Sequence, residues 1–308
     1  MKIGFLGPRG TFTEAALSLL QNVDEFDFEP FATVPATLDA VRKGEVKAAL
    51  VPFENSVEGS VSLTLDQLAS GEPLVIVDEV ALDVSFSLMV RPGTMIDEIT
   101  HISTHPHAAA QCRAWLASAL PDVKVVPALS TAAAAEEVSD PASRFQAAIA
   151  AEVAASHYGL EVLAHDIGDN NRAKTRFILV TKPSSPPAPT GADRTTLVLY
   201  MRENHPGALL EILTELSVRG VNLTRVESRP TQQELGDYYF SIDCDGHILE
   251  ARVGEALQGL HRICAAVRYL GSYPRHDGVL PEKRTGTLDA DFAEADEWLQ
   301  KIRTTGMS

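Results

Sequence analysis

A chain of 308 residues with 45% apolar side chains can fill two cores, and a formal charge of −16 with a pI near 4.9 disfavours a nucleic-acid partner, which selects a basic surface. Three widely spaced cysteines, Cys112, Cys244 and Cys264, give neither a disulfide framework nor a zinc pattern. No run approaches the roughly 18 uninterrupted apolar residues of a membrane-crossing helix, and Pro8 and Arg9 break the apolar start too early for a secretory leader, so a soluble, cytoplasmic protein is expected.

Residues 3–6 read as a strand, leading through Gly4-Phe-Leu-Gly7-Pro-Arg-Gly10 into a helix over 12–20. The glycine spacing is not that of a dinucleotide site, and no convincing acidic ribose partner stands about twenty residues on. Thr11 caps the helix, with Glu14 completing a capping box. The exposed amides of such a terminus also suit a carboxylate, so cap and anion site both stay open. A strand at 48–53 ends in Glu54-Asn55-Ser56, at the carboxyl edge where ligands of open α/β sheets collect. The same residues also read as a turn and N-cap, with Glu58 solvated and a further helix starting at Gly59-Ser60.

Strands are expected at 74–77 and 86–90, and a strand-like segment around Ile102 ends at Thr104. His105-Pro106 then enters a helix over 108–120 that carries Gln111. His105, His107 and Cys112 make a poor metal set, because Pro106 constrains their spacing and no further ligand cluster accompanies them. The histidines otherwise cap the helix or bond within the core. Beyond a strand at 123–126, Ser130-Thr131 cap a helix over 131–138, with a carboxylate contact as the alternative reading. After a strand at 147–150, a polar loop with Asn170, Asn171 and Arg172 reaches Lys174-Thr175-Arg176-Phe177 and the apolar strand 177–180. A hydroxyl beside a guanidinium at such a junction suits an anionic substrate that must lose a hydroxyl group. Short strands alternating with helices indicate an α/β sheet with helices on its faces.

Residues 183–193 are dense in proline, serine and glycine and read as a connector. The order then becomes strand 195–201, helix 206–218, strands 221–230 and 237–243, helix 248–265 and strand 267–272, a βαββαβ ferredoxin-like unit. In Asn204-His-Pro206-Gly207, Pro206 suits a helix start, while the missing side chain of Gly207 also permits close approach of a ligand. In the tail, 290–302 reads as one acidic amphipathic helix.

Val51-Pro-Phe-Glu-Asn-Ser-Val-Glu-Gly59, Ser103-Thr-His-Pro-His107 with Gln111-Cys112, Thr175-Arg176-Phe177 and Glu227-Ser-Arg-Pro230, in this order, resemble a bacterial prephenate dehydratase followed by an ACT domain that senses phenylalanine. The resemblance covers about residues 2–274. It implies a two-lobed catalytic domain like type II periplasmic binding proteins over 1–182, a linker over 183–193, an ACT regulatory domain over 194–275 and a tail over 276–308. The implied hydro-lyase reaction takes prephenate to phenylpyruvate, carbon dioxide and water in phenylalanine biosynthesis. Aromatisation drives it, so neither cofactor nor metal is expected.

The resemblance implies a catalytic set of Thr175, Arg176, Asn55, Thr104 and Gln111, with substrate contacts from Thr11, Ser56 and Phe177. Thr175 is expected to bond the departing hydroxyl and relay a proton, and Arg176 to hold the side-chain carboxylate. The family usually carries Ser followed by His-Pro-Gln, so Thr104 keeps the hydroxyl whereas His107 departs from the pattern. Gly207, Ala208, Leu209, Asn222, Leu223, Glu227, Ser228 and Arg229 are implied to bind phenylalanine between paired ACT domains, hence in a homodimer or homotetramer. Arogenate dehydratase is the enzymatic alternative. A non-catalytic amino-acid sensor is the other, for which no helix-turn-helix or basic surface supplies an output.

Overall fold

The computed structural model describes residues 1–21, 25–57, 59–170, 172–203, 205–231 and 237–306; the readings attached to Glu58, Asn171 and Asn204 lie outside the described residues. The chain opens with β1 (Lys2–Leu6), α1 (Phe12–Leu17), β2 (Asp27–Phe31), α2 (Val34–Lys43), β3 (Ala48–Asn55), β4 (Gly59–Ser60), α3 (Ser62–Ala69), β5 (Val75–Asp83) and β6 (Ser87–Val90). It continues with β7 (His101–Thr104), α4 (Pro106–Gln111), α5 (Arg113–Ala119), β8 (Lys124–Pro127), α6 (Thr131–Ser139), β9 (Ala147–Ala150), α7 (Glu152–Tyr158), β10 (Glu161–Ala164) and β11 (Lys174–Thr181). The remainder is β12 (Asp193–Tyr200), α8 (Ala208–Ser217), β13 (Leu223–Pro230), β14 (Tyr238–Asp245), α9 (Ala251–Ile263), β15 (Ala266–Pro274) and α10 (Asp289–Thr305).

These elements form two compact units, one from Met1–Gln67 with Val80–Val180, the other from Leu68–Glu79 with Thr181–Ser308. The first unit has two sheets. One runs β2-β1-β3-β11-β5 with β4 beside β3, and the other β10-β6-β9-β7-β8. β1 is parallel to β2 and β3, and β7 is parallel to β8 and β9. Strands β6 and β9 are buried at every position, as expected when both sheet faces are covered. Ile3, Phe5, Leu17, Leu50 and Phe177 fill one core, and Leu88, Ile102, Cys112 and Ile149 fill the other.

Two expectations change locally. The helix expected over 108–120 breaks at Cys112, because the Asp169 carboxylate accepts from the Ala114 and Trp115 amides (3.0 and 3.4 Å) and caps a new helix there. Gly59-Ser60 starts no helix. It pairs antiparallel with Glu54 and Asn55, and α3 begins at Ser62.

The second unit has one antiparallel sheet, β13-β14-β12-β15, in βαββαβ order. Leu197, Leu199 and Ile242 pack against Ile212 and Leu216 of α8 and Val253 and Leu260 of α9. A sheet must also cover its other face, and residues 68–79, expected within the first domain, pack with this unit. The Tyr200 hydroxyl donates to the Ala69 carbonyl (2.6 Å), and Arg268 donates to the carbonyls of Ala69, Ser70 and Gly71, closing the last turn of α3. Glu79 is buried against Arg194 and lies 2.9 Å from His276 Nδ1. Gly271, at φ +139°, approaches so closely that a Cβ would lie 2.2 Å from the Ile76 carbonyl oxygen. Asp193, at the start of β12, accepts from Thr190 and Gly191, and His247 Nε2 donates to the Pro187 carbonyl (3.0 Å), pinning the end of the proline-rich stretch to this unit. Helix α10 has no buried residue and is tied to the start of α9 through Asp289 and the Ala251 amide.

Candidate active site

The end of β3 is pinned to the start of β11 through Ser56. Its amide donates to the Lys174 carbonyl, and its Oγ accepts from the Lys174 amide, both at 2.9 Å. This brings Asn55 against Thr175, with Asn55 Nδ2 donating to Thr175 Oγ1 at 2.8 Å. The Val57 amide donates to Asn55 Oδ1 at 2.8 Å, which fixes the amide orientation and aims its NH2 at Thr175. Because Thr175 Oγ1 accepts from Asn55, its own proton is directed elsewhere.

Both side chains line a cavity of about 350 Å³ in the first unit. The first sheet and α1 contribute Thr11, Phe12, Asn55, Thr175 and Phe177. Facing positions around the second sheet contribute Phe86, His105, His107, Gln111, Ser130 and Thr131. Phe12 and Phe86 meet edge to face at 5.4 Å, forming an apolar wall. Three helix starts border the cavity. Thr11 accepts from the Glu14 amide at 3.3 Å, His105 Nδ1 from the His107 amide at 3.3 Å and Ser130 Oγ from the Ala133 amide at 2.9 Å.

Strand period separates Arg176 from its neighbours. Thr175 and Phe177 line the cavity, whereas Arg176 is buried outside it, 3.2 Å from the Glu54 carboxylate and with its guanidinium 4.7 Å from the Phe53 ring centroid. Thr104, also outside the cavity lining, is fully buried and donates to the Ile149 carbonyl at 2.6 Å, and Ser56 is spent on the β3–β11 junction. The structure therefore brings together Thr11, Asn55, Gln111, Thr175 and Phe177, but not Arg176, Thr104 or Ser56. The aromatic wall and the two histidines are the lining that the motif reading left out, while the helix-start signal at Ser130-Thr131 was visible. Burial, aided by the negative charge of Asp169, pushes the Cys112 thiol up to about 12, which keeps it protonated and poorly nucleophilic. Among the described residues no group of three or more His, Cys, Asp or Glu is placed to hold a metal.

In the second unit, Gly207, Ala208, Leu209 and Ser228 line a cavity of about 460 Å³ with Met201 and Tyr238. Asn222 and Leu223 line a different one, of about 670 Å³, with Asp245 and Arg275. Glu227 and Arg229 line neither, since they alternate with Ser228 along β13.

The family model for prephenate dehydratase matches residues 3–185, and that for the ACT domain matches 195–262. A prephenate dehydratase from Mycolicibacterium vanbaalenii is 48% identical over 314 residues, covering 98% of each chain, and one from Amycolatopsis methanolica is 47% identical over 304 residues with the same coverage. The crystal structure of Arthrobacter aurescens prephenate dehydratase in complex with L-Phe superposes with a TM-score of 0.94 at 50% identity, covering 99% of this chain and all of the other. The chain belongs to the prephenate dehydratase family. Its first unit has the periplasmic-binding-protein-like architecture of prephenate dehydratase structures, and a C-terminal ACT domain follows. Among the described residues, no helix is long and apolar enough to cross a membrane.

Proposed function

We propose that this cavity converts prephenate into phenylpyruvate, carbon dioxide and water, with Thr175 acting at the departing hydroxyl. The observation that carries this reading is the Asn55–Thr175 hydrogen bond. With its lone pair engaged by Asn55, Thr175 turns its proton towards the cavity and donates to the hydroxyl as the C–O bond breaks. The electrons released from the bond to the ring carboxylate complete the aromatic ring. Hydroxide leaves as water after gaining a proton, which Thr175 relays from solvent because a threonine hydroxyl is a weak acid. The apolar wall of Phe12, Phe86 and Phe177 favours loss of charge from the ring carboxylate, an interaction that differs between ground and transition states. Purified protein supplied with prephenate and, separately, with arogenate should form phenylpyruvate from the first. Turnover of arogenate alone would reassign the substrate, and turnover of neither would end the proposal.

The second unit is read as a phenylalanine sensor. Its cavity beside Gly207 and Ser228 fits a small aromatic amino acid, and the solved relative carries L-Phe. Asn222 and Leu223 line a separate cavity, which a second copy of the chain accounts for by bringing one group to the other across a homodimer or homotetramer. A coupling of roughly 1–3 kcal/mol would change substrate affinity about 5- to 150-fold. Titration calorimetry with phenylalanine tests the sensor, and sedimentation tests the assembly. A cytoplasmic location completes this reading.

A further inference from the structure

Prephenate carries two carboxylates, yet among the described residues no lysine or arginine lines the cavity. Arg176, the obvious cation in the sequence, is turned to the other face of β11 and engaged by Glu54 and Phe53. The titratable donors that line the cavity are His105 and His107, whose rings stack 5.1 Å apart with 8° between their planes. His105 Nδ1 accepts from the His107 amide, so its Nε2 is the N–H nitrogen and donates without the ring having to gain a charge. His107 is exposed at the same lining, and its backbone N–H makes the cap bond to His105 Nδ1.

We propose that His105 and His107 bind the side-chain carboxylate of the substrate, the role that the sequence suggests for Arg176. The inference rests on the reading of this cavity as the prephenate site. The reacting hydroxyl and the side chain sit at opposite ends of the prephenate ring. The polar groups of the cavity divide in the same way, with Asn55 and Thr175 on strands of the first sheet and the histidines after β7 of the second. The side-chain carboxylate remains charged from substrate to product, so its hold is uniform along the reaction and shows in KM more than in kcat. Imidazole donors suit an acidic chain that must also release an anionic product.

The test is His107→Leu, which removes the ring donor and leaves the backbone cap, with His107→Gln restoring a side-chain N–H. Steady-state kinetics with prephenate and calorimetric binding of phenylpyruvate, which keeps only the side-chain carboxylate, are compared with wild type. Expected is about a tenfold rise in both KM and Kd for His107→Leu, kcat within about twofold, and recovery of most of the loss in His107→Gln. Unchanged KM and Kd in the leucine variant, or a fall in kcat with KM unchanged, overturns the assignment. If the wild-type protein does not turn over prephenate, the functional reading fails. The phenylpyruvate measurement still decides the subsite: a Kd raised in His107→Leu supports it, and absent or unaltered binding overturns it.

Discussion

The cavity of the first unit and the cavity beside α8 in the second are similar in size but assembled differently. In the first, residues as distant in sequence as Thr11, Asn55, Gln111 and Thr175 converge within one chain, and two of them already bond at 2.8 Å. In the second, Gly207, Ala208, Leu209 and Ser228 converge, while Asn222, Leu223, Glu227 and Arg229 stand elsewhere. A catalytic site gains from being pre-organised before substrate arrives. On the reading proposed above, another copy would complete the second cavity, and its ligand could then favour one arrangement of copies over another.

The sharpest way to break this contrast is Thr175→Ala. It should lower kcat by about 10²–10⁴, with little change in KM and none in phenylalanine binding; near-normal kcat in the folded variant would remove Thr175 from the chemistry. Next, Ser228→Trp fills the proposed effector cavity and Asn222→Ala removes the candidate opposite contact, and each should abolish phenylalanine binding alone. Mixing the two after dissociation should restore about a quarter of the sites if each is built from two copies. Calorimetry showing no recovery would place the whole site in one copy. A smaller effect is expected of Arg176→Met, which breaks a buried guanidinium pair whose carboxylate is partly exposed. It should cost about 2 kcal/mol in denaturant unfolding while leaving KM within about threefold; a KM raised a hundredfold would return Arg176 to the substrate.

The smallest effect is a pH dependence that separates stability from chemistry. Burial raises Cys112 and Cys244 from 9.0 to about 12, so in the unfolded chain these thiols ionise first. Their contribution is therefore complete below pH 9 and is lost as pH rises towards 12, by about 1 kcal/mol per thiol at pH 10. Cys112→Ala should flatten the alkaline slope of stability by that amount, and alkylating reagents at pH 8 should leave turnover of the wild type unchanged.

The sequence showed most of the architecture because its signals are local. Residues 147–150 form a strand with the expected bounds, and the βαββαβ order of the second unit is present with ends shifted by a few residues. Helix α2 is not among the expected elements, although Thr33 caps it, Pro35 lies in its first turn and Gly44 closes it in the left-handed region. The break at Cys112 was not visible, because the competing carboxylate belongs to Asp169, far along the chain. The site was legible as a set of motifs but not as a set of directions. Thr175-Arg176-Phe177 and Glu227-Ser228-Arg229 each read as a block, and each lies on a strand that sends the middle residue one way and its neighbours the other. Thr104 shows a further limit, since nothing in its local sequence announces that the hydroxyl is consumed by the Ile149 carbonyl.

The passage of residues 68–79 through the second unit means that the chain crosses between the units three times, at 67/68, 79/80 and 180/181. A gene fragment beginning in the proline-rich stretch would encode an ACT sheet whose Arg194 has lost Glu79 and whose Gly271 no longer meets the backbone it was shaped for. The regulatory half is therefore no portable cassette: recombination that swapped it at the obvious seam would leave its missing panel behind in the other parent.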